Sequence, residues 1–326
     1  RAALQQAKIM INQSEQDRLN AMNDLLFEAY AAYWQWAGTY SLYSLYTKYL
    51  QASAERYRLV KIAYENGDRA AMDTLEALTQ VQSFMMLQSD AKMKLNDAAI
   101  DLSNYLWQDN DSAYDLPSTF VPDTLQFAME QQAPQLDQLI RTASDQNPAL
   151  KSYSYKLDAL AVERKLKFQS LLPVVNAKAN LLNKGYNVFK GVDGAFLENN
   201  YKWGIDVKVP LFLREGRGDY KQAKLKIEET NYALSAKRWE VENKIRSYYN
   251  QFIQMQAQLK IMLSMFANYT SLLRQEDFKF QNGESSLFLV NSRENKLIET
   301  AQKLVELRIK YQKAYYATQW AGGLLR

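Results

Sequence analysis

Tyr64-Glu65-Asn66-Gly67 recurs 216 residues later as Phe280-Gln281-Asn282-Gly283. The same offset carries Gln6-Ala7-Lys8 onto Gln222-Ala223-Lys224, Ile11 onto Ile227, Tyr33 onto Tyr249, Gln35 onto Gln251 and Trp36 onto Phe252, with no gap. Such constancy is expected of a single rigid helix, in which one inserted residue would rotate every following side chain by about 100°. The chain therefore reads as a duplication in which two long helices stop at the same Asn-Gly. Gly67 and Gly283 supply the left-handed conformation that ends a helix.

Upstream of each stop, residues 1–65 and 220–281 read as one helix apiece, each roughly 95 Å long at 1.5 Å per residue. Leu26, Ala29, Tyr33, Trp36, Tyr40, Tyr43, Thr47, Leu50, Ala54 and Tyr57 follow alternating steps of three and four, a coiled-coil seam with aromatic knobs. The stretch from Ala29 to Thr47 is uncharged but broken by Gln35, Gly38, Thr39, Ser41 and Ser44, so it does not read as a membrane-spanning helix. Downstream, a helical pattern returns over 73–107 and again over 286–321. Each copy is thus a long antiparallel helical hairpin, with tips near 66–72 and 282–288.

Composition narrows the function. With no Cys and no His, the 326-residue chain has neither disulfides nor the ligands and bases of thiol and imidazole chemistry. Only 11 Gly and 6 Pro are present, too few turns for a compact α/β enzyme of this length. The net charge of +4 is spread among interspersed ions, without the basic stripe of a nucleic-acid binder. An enzymatic reading would have to rest on Asp73 and Glu76, three apart on one helix face, with no pocket around them. No enzyme activity and no cofactor or metal is called for.

Between the copies, residues 108–147 hold Pro117, Pro122 and Pro134, a connecting layer with a short helix near 135–144, to be packed on the side of the rods. A further helix occupies about 148–171. The period then changes to two: Val175, Ala177, Ala179 and Leu181 alternate with Asn176, Lys178 and Asn180. Likewise Tyr201, Trp203, Ile205, Val207, Val209 and Leu211 alternate with Lys202, Gly204, Asp206 and Lys208. Two strands of about 10 residues, joined by the polar loop 183–200, make a β-hairpin within 172–213. Its length and the aromatics Tyr186, Phe189, Phe196, Tyr201, Trp203 and Phe212 near the strand ends suit a membrane strand. One hairpin cannot close a barrel, so that reading requires several chains. A soluble coiled-coil scaffold with a small packed β-hairpin is the alternative; it accounts for the rods but not for the aromatic strand ends.

The strand end Val209-Pro210-Leu211-Phe212 leading through a Gly-containing turn into Gln222-Ala223-Lys224, the tip motif Gly67-x5-Asp73-Thr74-Leu75-Glu76-Ala77, and Asn147-Pro148-Ala149-Leu150 before a helix ending Leu171-Leu172-Pro173 together resemble the TolC family of bacterial outer-membrane efflux and secretion channels. The resemblance covers essentially the whole chain. It implies a mainly α fold with a β-hairpin, in which long helical hairpins form a periplasmic α-barrel and the strands of a homotrimer form an outer-membrane β-barrel. It divides the chain into a first hairpin (1–107), an equatorial connector (108–147), a helix leading into the second repeat (148–171), a transmembrane β-hairpin (172–213) and a second hairpin (214–326). It further implies a passive duct of a tripartite efflux pump or type I secretion system, with a periplasmic adaptor, an inner-membrane transporter and outer-membrane lipid as partners. Family members carry a second β-hairpin per protomer, expected here ahead of Arg1 together with a secretion signal.

The resemblance places docking and gating at the tips: Asn66, Gly67, Asp68 and Arg69 in the first, Asn282, Gly283, Glu284 and Ser285 in the second. A family ring of acidic residues six and nine positions after the second-copy glycine does not carry over, because those positions are Leu289 and Ser292. The first-copy equivalents are Asp73 and Glu76, expected as a solvated acidic face or as partners of Arg69 or Arg293 across the mouth. Phe288 and Leu289 are expected as a hydrophobic constriction. Tyr201, Trp203, Ile205, Val207 and Val209 are expected to face lipid.

Overall fold

The computed structural model describes residues 1–109, 112–180, 202–209 and 213–325. Helix α1 (Ala2–Glu65) runs unbroken for 64 residues and α6 (Arg214–Gln281) for 68. Their return partners are α2 (Ala71–Ser103) and α7 (Leu287–Gly322). Between them come strands β1 (Trp107–Gln108) and β2 (Ser112–Ala113), helices α3 (Thr124–Ala128), α4 (Leu136–Gln146) and α5 (Pro148–Gln169), and strands β3 (Val174–Asn180) and β4 (Lys202–Lys208). The helices α1 and α6 each contribute to two compact units, one of residues 1–17 and 149–238, the other of residues 18–148 and 239–326.

In the larger unit α1 packs on two helices at once. Trp36 meets Ala98 and Leu102 of α2, while Trp34 and Ala37 meet Val305 and Ile309 of α7. Two neighbours widen the buried stripe beyond the seam drawn from heptad spacing. Tyr46, Ser53 and Val60, seven apart and outside that seam, are buried, whereas Ala54 within it is exposed. Gly38 lets α1 come close to α7: a Cβ there would lie 2.3 Å from Ile309 Cδ1. On its other side α7 packs on α6 through Phe252, Leu259, Leu304 and Tyr311, the rings of Phe252 and Tyr311 stacked 5.2 Å apart.

The proline-containing segment folds against these helices. α2 stops at Ser103, four residues short of the pattern read from sequence, because Ser103 Oγ accepts from Leu116 N as the chain turns back through the small β1–β2 pair. The unforeseen α3 is capped by Asp123, whose carboxylate accepts from Leu125 N and Gln126 N, and it buries Phe127 beside Trp34. Gln312 of α7 donates to the carbonyls of Phe127 and Met129, tying this layer down.

In the smaller unit α6 begins at Arg214, six residues earlier than expected, so Gly216 and Gly218 lie inside the helix and form no turn. Gly216 is there for packing: a Cβ would stand 2.8 Å from Leu171 Cδ2. β3 and β4 pair antiparallel, with Val175 opposite Val207, Ala177 opposite Ile205 and Ala179 opposite Trp203 on one face, and Asn176 opposite Asp206 on the other. The expected strand ends at Leu181, Leu182, Tyr201, Pro210 and Leu211, the loop 183–200, and the aromatics Tyr186, Phe189, Phe196 and Phe212 lie outside the described residues.

Candidate functional site

The two tips are built alike. Gly67 and Gly283 sit at φ +83° and +78°. Gly67 N donates to Tyr64 O and Asp68 N to Ala63 O; Gly283 N donates to Phe280 O and Glu284 N to Lys279 O. This paired closure of the last turn satisfies helix-end carbonyls that would otherwise lack partners. No atom lies within 4 Å of a Cβ added at either glycine, so backbone conformation alone demands them. The return helices start differently: Ser286 accepts from Leu289 N, whereas its counterpart Ala70 offers no side-chain cap.

The tips are also joined to one another. The guanidinium of Arg69 lies 4.5 Å over the ring of Phe280, and Val60, Ala77 and Leu287 close a small core with Tyr57 and Phe280. Asp73 pairs with Arg69 along its own helix at 3.9 Å. Arg293 does not reach Asp73 or Glu76. It lies 3.5 Å from Glu276, which also accepts from Ser285 Oγ at 2.6 Å. Glu76 is no solvated acid either: it is half-buried and accepts from Asn291 Nδ2 at 3.3 Å. The hydroxyl of Ser285, with Arg293 adding to it, holds the Glu276 carboxyl below the usual carboxylate range.

Immediately behind the tips lies a polar network that sequence reading missed. Arg56 of α1 grips Glu294 of α7 with two bonds of 3.0 Å, and Glu294 is 1% exposed. Arg56 also donates to Asn291, while Gln80 of α2 donates to Glu294 at 3.3 Å and to Asn295 at 2.8 Å. Three helices of both hairpins thus meet on one carboxylate. Burial lowers the Arg56 pKa, but the bonds and charge of Glu294 outweigh it and leave the guanidinium above its ordinary value. Burial raises nearby Asp277 above the usual carboxylate range, against the pull of Arg56. No motif announces this pair; the only sequence signal is that the offset of 216 sets Leu272 and Leu78 where Arg56 and Glu294 stand.

Beside the network a groove of about 660 Å³ is lined by Glu76, Gln80, Tyr269, Phe288, Asn291 and Arg293. The structure therefore gathers Glu76, Phe288 and Arg293; Leu289 is 42% exposed and does not line the groove. No group of three carboxylates among the described residues is placed to hold a metal ion. In the other unit Trp203, Ile205 and Val207 are each more than half exposed on the apolar face of the sheet, and Val209, just past β4, is exposed to the same degree; Tyr201 lies outside the described residues. Among the described residues no helix is long and apolar enough to cross a membrane.

Paired long helical hairpins with matched tips, and an inserted β-hairpin with one bare apolar face, define the class of long-helix outer-membrane channels. The chain belongs to the outer membrane efflux protein family, whose model matches residues 1–106 and 139–319. Solved channels share the fold. The CmeC outer membrane channel of Campylobacter jejuni superposes with a TM-score of 0.78 at 16% identity, over 100% of this chain and 68% of that one. The MtrE channel of Neisseria gonorrhoeae, in its open state, gives 0.79 at 14% identity, over 100% and 72%. The outer membrane protein VceC of Vibrio cholerae gives 0.74 at 18% identity, over 99% and 75%. No curated protein sequence matches the chain.

Proposed function

We propose that three copies of this chain close into a passive duct across the outer membrane and periplasm, gated at its helical tips and completed by a periplasmic adaptor and an inner-membrane transporter, as in a tripartite efflux pump or type I secretion system. The observation that carries the reading is a contact that the duplication makes half-finished. Within one chain α1 packs on α7: Tyr30 stacks on Tyr316 at 4.1 Å, Gly38 abuts Ile309, Tyr46 donates to Gln302 at 3.3 Å and Arg56 grips Glu294.

Shifted by 216 residues, α1 becomes α6 and α7 becomes α2. The contact pairs become Arg246 with Ile100, Gln254 with Met93, Met262 with Met86 and Leu272 with Leu78. On α2 these are bare apolar side chains, Ile100 at 66%, Met93 at 56% and Met86 at 76% exposure, repeating every seven residues. An apolar heptad stripe left exposed by the described residues of its own chain supports a helix partner, and the α6 of a second copy supplies one in the register the chain already uses. Repeating that contact closes a ring. In this reading Asn66, Gly67, Asp68, Arg69, Asn282, Gly283, Glu284 and Ser285 surround the periplasmic mouth and receive the adaptor, while Asp73, Glu76, Phe288, Leu289 and Arg293 line or brace the constriction. Trp203, Ile205, Val207 and Val209 face lipid.

The absence of cysteine makes the register directly testable. Met93→Cys and Gln254→Cys in one chain should oxidise to a covalent trimer in outer-membrane fractions. Met86→Cys with Gln254→Cys, displaced by roughly 10 Å along the helix, should not. Equal cross-linking of both pairs, or recovery of the protein as a soluble monomer without detergent, would overturn the ring.

A further inference from the structure

Where α5 hands over to the strands, the smaller unit holds a cavity of about 480 Å³ lined by Arg164, Lys165, Phe168, Gln169, Leu172 and Tyr220. Phe168 and Tyr220 form its aromatic wall, rings 5.7 Å apart and tilted by 56°. Of the cations nearby, Lys224 lies over the Tyr220 ring at 5.1 Å. Lys167 is bound to Asp219 at 2.6 Å and Lys226 to Glu163 at 3.7 Å, so those carboxylates are occupied. Arg164 and Lys165 have no carboxylate partner among the described residues, yet both line the cavity. Across 164–169 and 214–224 seven Lys and Arg stand against two carboxylates, so the layer is cationic.

Its place gives the charge a meaning. Leu172 is two residues from the start of β3, whose sheet presents Val175, Ile205 and Val207 outward, each more than half exposed. Along the chain an apolar surface passes into an aromatic pair and then into unpaired cations. That order matches a lipid in a leaflet, with acyl chains, interface and then phosphate.

We propose that this pocket binds the phosphate of a glycerophospholipid of the periplasmic leaflet. The Arg164 fork and Lys165 hold the phosphate oxygens, and the acyl chains lie over Leu172 towards the sheet. Arginine suits the task because its planar donors match a phosphate in two bonds at once. The inference rests on the membrane reading of the β-hairpin given above.

The test uses the full chain in non-ionic detergent with three probes: dioctanoyl phosphatidylglycerol, dioctanoylglycerol without phosphate, and glycerol 3-phosphate without chains, with binding read by native mass spectrometry. Phosphatidylglycerol should bind best, and Arg164→Ala/Lys165→Ala should weaken it on the order of tenfold or more, the loss of charge-assisted bonds. Arg164→Lys should restore part of the affinity, and Arg274→Ala in the other unit should change nothing. Undiminished binding by the double variant, or dioctanoylglycerol binding as well as the phospholipid, overturns the proposal. Glycerol 3-phosphate binding as tightly as phosphatidylglycerol would make this a site for free phosphate esters and also overturn it. Fractionation of the same cells separates the two readings: absence from outer membranes defeats the duct, while binding in detergent still decides the pocket.

Discussion

Replacing Glu294 or Arg56 by leucine, singly and together, tests whether the carboxylate between three helices joins the two hairpins. Each single change strands one buried ion. Removing one member of a buried pair costs about 3 to 5 kcal/mol, and at about 2 °C per kcal/mol for a cooperative unit of this size the melting temperature should fall by about 6 to 10 °C. The two losses should differ. Arg56 keeps 18% side-chain exposure and can turn its charge towards water after Glu294→Leu, placing that variant at the mild end. Glu294 is 1% exposed and keeps only the Gln80 bond after Arg56→Leu, which places that variant at the severe end.

The double variant removes both ions and leaves leucines such as already stand at the duplicate positions, Leu272 and Leu78. It should recover at least about 2 kcal/mol relative to the sum of the singles. Circular dichroism melts of the detergent-solubilised protein measure all three. A double variant that loses the sum of the two singles would refute the coupling.

Three further outcomes are expected. Gly67→Ala and Gly283→Ala each place alanine at positive φ at a cost of about 1 to 2 kcal/mol, so exchange of the Asp68 and Glu284 amides should quicken by a factor of about 5 to 30, at the altered tip only. Leu289→Asp, beside a helix start on the proposed constriction, should raise resting conductance and cation preference in planar bilayers; unchanged conductance and selectivity would remove Leu289 from the pore. Bonds from Lys296 and Lys303 hold the Glu299 carboxyl down at about 2 from an ordinary 4.5. The stabilisation it lends is present above about 4.5 and fades as pH drops towards 2, so Glu299→Gln should narrow its gap to the wild type over that window, and added salt should narrow it further.

The backbone-determined features could be read from sequence because they repeat. Asn-Gly at a fixed offset gave the tips, and period-two alternation gave the face of Trp203, Ile205 and Val207. What escaped depends on side chains meeting across elements far apart in the chain. Heptad spacing showed one seam on α1 but not the second neighbour that buries Tyr46, Ser53 and Val60. Gly216 looked like a turn because a close approach by Leu171 leaves no local mark. The Arg293–Glu276 contact left no local mark either, since Glu276 on α6 faces Arg293 across the second hairpin itself.

The divergence at Arg56 and Glu294 follows from where each copy of the contact falls. A buried ion pair gains little over well-packed hydrophobic side chains, but it penalises misplacement heavily, which suits a contact whose partners are tied together by one chain. Between separate copies, as in the ring proposed above, the same pair would have to be desolvated afresh at each association, with near-zero net gain. Leucine at both duplicate positions instead contributes apolar area, about 25 cal/mol per Å², without that desolvation. The asymmetry thus makes a directional claim. Installing the ion pair between copies, as Leu272→Arg with Leu78→Glu, should lower trimer yield, whereas Arg56→Leu with Glu294→Leu should leave it close to wild type; the reverse ranking by sedimentation would place the α6–α2 contact somewhere other than between copies.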